Sequence, residues 1–247
     1  METFLLFVLV GFIAQMIDGI LGMAYGVSAT SFLLSLGIAP AVASASVHAA
    51  EVVTTGFSGL AHLRFGNVDR TIVRRLLIPG VIGAVAGAYL LVSIPGDALK
   101  PWIAGYLLVM GVIILSKAIR FRKPDGEERH HHLVPLGLAG GFFDAIGGGG
   151  WGPIVTGTLV ARGNSPRFTI GSVNFAEFFV TAAASATFIA TIGLSYWVAI
   201  AGLAVGGAVA APMAAWATSR VPARPLLVLV GLTVVALSVR TIILALR

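Results

Sequence analysis

Ser46-Val47-His48-Ala49-Ala50-Glu51 returns later in the chain as Ser172-Val173-Asn174-Phe175-Ala176-Glu177. Laying residues 11–55 over 137–181 without a gap gives 14 identical pairs in 45 positions. Matches of Leu, Val or Ala come easily in an apolar chain. Here the pairs Asp18/Asp144, Glu51/Glu177, Gly11/Gly137, Gly22/Gly148, Gly26/Gly152, Gly37/Gly163 and Pro40/Pro166 all keep register. The chain contains an internal duplication.

Composition says where the duplicated unit lives. Of the 247 residues 57% are hydrophobic and only 11% charged, with a mean hydropathy of +0.98. Charged residues make up about a quarter of an ordinary globular chain. Many apolar runs here approach the ~20 residues that a helix needs to cross a bilayer. They are continuously apolar, which argues against the alternating strands of a membrane barrel. The reading is an all-α polytopic membrane protein with the lipid bilayer as its first partner. The N-terminus, Met1-Glu2, lacks the basic start of a cleavable signal peptide. Without cysteine there are no disulfides, thiolate metal sites or cysteine nucleophiles. The formal charge of +6 sits mostly in short loops, so it reports membrane orientation, and no nucleic-acid partner is expected.

The spacing predicts an N-terminal repeat over 1–119, with a hairpin at 3–36 and helices at 41–63, 76–93 and 101–119. A polar cytoplasmic linker, 120–132, leads to a C-terminal repeat over 133–247, with a hairpin at 133–161 and helices at 167–192, 196–217 and 225–245. In the first hairpin the stretches 3–17 and 24–36 are each too short to span comfortably, and Asp18 to Gly22 breaks them. In the second, Gly147 to Gly150 makes the break. Arg64, Arg70, Arg74 and Arg75 form a basic loop, and with the linker they mark the cytoplasmic side. Arg162, Arg167, Arg220 and Arg224 place their turns on that side too, whereas 37–40 and 193–195 lack basic residues and face out. Arg240 and Arg247 argue mildly against an external C-terminus. Helix 41–63 then runs inward and 167–192 outward, so the repeats are inverted. Inverted repeats with broken helices are a transporter architecture.

Glu51 and Glu177 fall near mid-bilayer, where an acid costs at least ~2.5–3.5 kcal/mol and usually marks an ion or substrate path. Ser44, His48, Glu51, Thr55, Ser58 and His62 share one helical stripe, and Asn174, Glu177, Thr181 and Ser185 share its counterpart. The hydroxyls serve equally well as interhelical hydrogen-bonding groups. At the breaks, amides at the start of a returning half-helix can hold an anion. Tyr25 and Trp151 stand at equivalent positions where they could wall such a site. Asp18 and Asp144 read as helix caps or as functional acids, with both roles open. Gly147–Gly150 lacks the Lys-Ser/Thr of a nucleotide loop. His130-His131-His132 reads as a solvated linker, and neither a metal nor a cofactor is expected.

The doubled Gly-x6-Asp-x3-Gly-x3-Gly hairpin, followed by Pro and Ser-x4-Glu, resembles the sulfite exporter TauE/SafE family over nearly the whole chain. The resemblance implies export of sulfite, organosulfonates or related carboxylates. His48 opposite Asn174 makes the half-sites chemically unequal.

The expected function is a secondary transporter exporting a small anion across the cytoplasmic membrane, coupled to protons. Gly22, Tyr25, Ser46, His48, Thr55, Gly148, Gly149, Trp151, Ser172, Asn174 and Thr181 are its candidate anion-binding residues. Glu51, Glu177, Asp18 and Asp144 are its candidate proton carriers, with Glu51 foremost and able to share a proton with His48 three residues away. Acids beside an anion need protons for part of the cycle, and removal from water favours that form. The alternatives are a membrane-embedded enzyme using His48 and Glu51, against which the mirrored half argues, and a passive anion channel. A homodimer is left open.

Overall fold

The computed structural model describes residues 2–119, 132–217 and 223–246. Among them the only regular structure is helical. The first half contributes α1 (Glu2–Leu21), α2 (Tyr25–Ser35), α3 (Pro40–Arg64), α4 (Arg70–Ser93) and α5 (Gly96–Ile119). The second contributes α6 (Leu133–Gly147), a π-helical turn (Gly152–Thr156), α7 (Gly157–Ala161), α8 (Pro166–Ile192), α9 (Trp197–Ala217) and α10 (Ala223–Ala245). Most of the linker and Arg220, on which part of the expected orientation rests, lie outside the described residues.

The repeated residues do the same local work twice. Pro40 and Pro166 open α3 and α8, where a missing N–H costs nothing. Gly37 and Gly163 take φ of 89° and 91° after α2 and α7, and each closes the preceding helix. There Ile38 and Asn164 donate back to the carbonyls of Leu33 and Leu159 at 3.2 and 3.1 Å.

Among the described residues six helices are long and apolar enough to cross a membrane: α1, α4, α5, α8, α9 and α10. The expectation that 3–17 is too short is corrected here, because α1 continues through Asp18 to Leu21 and the break falls at 22–24. The Asp18 side chain turns toward the next helix rather than ending its own. At 25 residues α3 is long enough as well, at about 1.5 Å per residue, but its polar stripe keeps it out of that apolar set. Arg70, Arg74 and Arg75 belong to α4 rather than to a loop. Asp69 starts that helix early by accepting from the N–H groups of Thr71 and Ile72 at 2.6 and 3.3 Å. Likewise α5 starts at Gly96 and carries Pro101 near its beginning.

Packing keeps its pattern when the halves are exchanged. α1 lies along α9 and, correspondingly, α6 along α4; α3 packs on α9 and α8 on α4. α3 pairs with its own counterpart α8, and α5 with α10. Each of these last pairs runs antiparallel: Phe188 meets His48 while Asn174 meets Ser58, and Gly111 faces Val234 while Leu115 faces Gly231. Small residues make the close approaches, as membrane helices require. A side chain on Gly83 would run into the Leu138 carbonyl of α6, and one on Gly206 into the Val8 carbonyl of α1.

Candidate functional site

The two broken hairpins meet at their tips. A methyl group on Gly26 would lie 2.7 Å from Gly149 Cα and 2.9 Å from Glu51 Oε1, and one on Gly152 would lie 2.6 Å from Met23 Cα. Only hydrogen fits at these crossings. Thr30 donates its hydroxyl to the Gly148 carbonyl, tying the first returning arm to the second break. Gly22 and Gly148 turn the chain with φ of 65° and 64°.

Asp18 and Asp144 play matching parts at the breaks. Asp18 Oδ1 accepts from the N–H of Tyr25 at 3.3 Å, and Asp144 Oδ1 from that of Trp151 at 2.9 Å. Each aspartate thus caps the arm that returns seven residues later. Its other oxygen is left for a second role.

Where tips, α3 and α8 converge there is a small cavity lined by Asp18, Glu51, Asp144 and Glu177, with Tyr25, Gly26, Gly149 and Gly150 among its other walls. Its free volume is about 10 Å³, room for roughly one water. The lining has four carboxyl groups and no lysine or arginine. Glu51 Oε2 accepts from the Thr181 hydroxyl at 3.3 Å, and the Thr55 hydroxyl donates to the Glu51 backbone carbonyl at 2.5 Å. His48 is fully buried behind this wall and bonds through Nε2 to Asp144 Oδ2 at 3.2 Å. Its partner is therefore the aspartate of the other half, not Glu51 on its own helix. Ligand atoms of His48, Glu51 and Asp144 lie within 4.8 Å of one another. Within this group the direct His48–Asp144 bond joins α3 to α6.

Of the residues expected to bind an anion, Tyr25 and Gly149 line the cavity. His48, Thr181, Thr55 and Gly148 stand one contact behind it. The others point elsewhere. Ser46 Oγ donates to its own helix at Val42, 2.7 Å away. Ser172 donates to the Phe168 carbonyl at 2.6 Å and accepts from the Asp69 N–H at 2.7 Å, holding the start of α4. Asn174 donates to Ser58 at 3.0 Å. The Trp151 ring is buried beside Gly80 and Gly140 and donates to the Val173 carbonyl at 3.2 Å. Gly22 abuts Ile170.

Sequence reading passed over three participants. Thr30 was visible as an identity with Thr156 but carried no charge to attract notice. Tyr106 reaches across from α5 to donate to the Gly149 carbonyl at 3.1 Å. Lys117, in the last turn of α5, donates to the Pro153 carbonyl at 2.9 Å beside the cavity wall. Arg240 donates to the Ser35 carbonyl at the end of α2.

The family model described as Sulfite exporter TauE/SafE matches residues 7–241, from within α1 to within α10 and across both breaks. The chain belongs to the sulfite exporter TauE/SafE family. Within reach of this family lies "Probable membrane transporter protein YtnM" of Bacillus subtilis (strain 168). It is 46% identical over 251 aligned residues, which cover 98% of this chain and 84% of that protein. No solved structure matches the chain. As a TauE/SafE member the protein is a multi-pass membrane transporter and not an enzyme, so the reading of His48 and Glu51 as a catalytic pair is set aside.

Proposed function

We propose that the protein exports a small sulfur-containing anion (sulfite or an organosulfonate) or a related carboxylate across the cytoplasmic membrane, coupled to protons. The observation that carries this reading is the four-carboxyl cavity where the two hairpin tips cross. An anion placed among four ionised carboxylates would be repelled strongly in a medium of low dielectric. An anion is accepted there only when protons neutralise the acids, which makes binding of proton and substrate interdependent. The returning arms α2 and the π turn then offer N–H groups to the anion.

The cavity holds about one water, so sulfite with its four heavy atoms needs the site to open. A site closed around its centre suits a carrier better than a passive channel. Antiparallel packing of α3 on α8 and of α5 on α10 supports inverted repeats, each a hairpin plus three helices, rocking about this centre. The working partner is a small anion.

The test uses purified protein in liposomes, loaded in turn with sulfite, methanesulfonate and acetate. Saturable efflux accelerated by an imposed pH gradient is expected for at least one of them. Flux that never saturates would identify a channel, and no flux of any probe would reject the anion reading.

A further inference from the structure

Two hydrogen bonds determine how many protons His48 and Asp144 must share. His48 Nδ1 lies 2.8 Å from the backbone carbonyl of Ser44. A carbonyl oxygen only accepts, so Nδ1 carries a hydrogen. The Ser44 hydroxyl, 3.3 Å from the same nitrogen, gives its own hydrogen to the Ala145 carbonyl at 2.6 Å and so also accepts. Nε2 therefore has no hydrogen in a neutral ring. Yet it sits 3.2 Å from Asp144 Oδ2. A lone pair facing a carboxylate lone pair repels, so this contact requires one further proton, on Nε2 or on Oδ2.

We propose that this proton is the exchangeable one of the transport cycle, and that the His48–Asp144 pair is its binding site. The proposal rests on the proton-coupled reading above. His48 belongs to α3 in the first half and Asp144 to α6 in the second, so the proton fastens one half to the other. The Ser44 bond to Ala145 joins the same two helices one turn away. Loss of the proton turns this fastening into a repulsion at the cavity wall. Asp144 is also the residue whose Oδ1 holds the start of the second returning arm, so the disturbance reaches the amides offered to the anion.

The groups facing the pair are Glu51 on α3, Asp18 on α1, Tyr25 on α2, Glu177 on α8 and Tyr106 on α5. The Phe188 ring of α8 covers the imidazole with centroids 5.9 Å apart. The second half cannot duplicate the device. Asn174 stands where His48 would be, its amide binds no proton in this range, and its N–H goes to Ser58.

Two measurements test the proposal. In the liposome assay, Asp144→Asn still accepts from Trp151 and gives an amide hydrogen to a neutral His48, but carries no exchangeable proton. Its flux is expected to lose its response to the pH gradient, while Gly105→Ala, at a helix position with open space around it, keeps its own. An Asp144→Asn protein that follows the gradient as the unmodified one does overturns the proposal. So does loss of the response in Glu51→Gln alone. The second measurement needs no transport: nitrogen NMR of protein labelled in histidine, with His48→Gln to assign the signal. Nδ1 of His48 should stay protonated throughout while Nε2 changes with pH and is fixed unprotonated in Asp144→Asn. Titration at Nδ1 instead overturns the proposal, and decides the matter where a variant fails to accumulate. If the unmodified protein moves no probe anion, the transport reading fails while the NMR result still stands or falls by itself.

Discussion

Thr181 shows how a single hydroxyl conditions the site. It is fully buried on α8, and across the interface between the halves its one hydrogen is shared between Glu51 Oε2 at 3.3 Å and the His48 backbone carbonyl at 3.2 Å. Thr181→Val keeps the shape and removes the donor, leaving a buried oxygen unpaired at a cost of roughly 1–3 kcal/mol. The expected outcome is a lower unfolding midpoint and weaker anion binding, with the response to a pH gradient intact. Thermal unfolding with and without added sulfite measures both, since a bound ligand raises apparent stability. Thr181→Ser, which restores the donor, should recover most of the loss. At this scale much of the site could be read from the chain, because Asp18, Glu51, Asp144 and Glu177 stand out as acids in apolar surroundings. Who bonds whom could not. A single sequence shows neighbours three or four positions apart, so it paired His48 with Glu51, whereas the bond formed joins residues 96 positions apart.

Helices in this fold meet through glycine, and the exchange of halves shows which glycines matter. Gly83 on α4 lies against the Leu138 carbonyl, and Gly206 on α9 against the Val8 carbonyl. Gly105 on α5 has open space where a side chain would go. Gly83→Leu and Gly206→Leu force their helices off α6 and α1, at a cost of about 1–3 kcal/mol by analogy with overpacked cores. Both should lower the yield of folded protein in detergent and its unfolding midpoint, whereas Gly105→Ala should leave both unchanged or raise the midpoint slightly. Equal yields for all three would contradict the close packing. Helix positions were largely legible, since apolar runs, prolines and capping glycines bound them. The early start of α4 and the late end of α1 were not. Arginines look like loop residues until Asp69 is seen to cap them, and an aspartate inside a helix looks like a break until its side chain is placed.

For the molecule as a whole, orientation is the property most open to direct measurement. The chain has no cysteine, so one introduced thiol reports one position. Ser195→Cys should react with an impermeant reagent added outside intact cells, and Phe65→Cys should react only after lysis. The reverse pattern would turn the transporter over in the membrane, and labelling of both from outside would remove the inverted arrangement. The duplication was legible at this scale because its glycines and acids keep register. Its later helices share only hydropathy, so how they pack on the other half had to come from the structure.

The crossing of Gly26 over Gly149 bears on how the protein is made. A first half emerging alone leaves Asp18 and its hairpin without the arm that Thr30 binds, and leaves Glu51 without Thr181. Such an intermediate holds unmet polar groups in lipid until α6 and α8 arrive, a delay during which membrane proteases can act. Cutting the chain within 120–132 and expressing both fragments together should therefore yield a working transporter, with each fragment protecting the other. Expressed singly, each should be degraded in a pulse-chase experiment. The symmetry that builds the site late makes the two gene halves dependent on each other for survival.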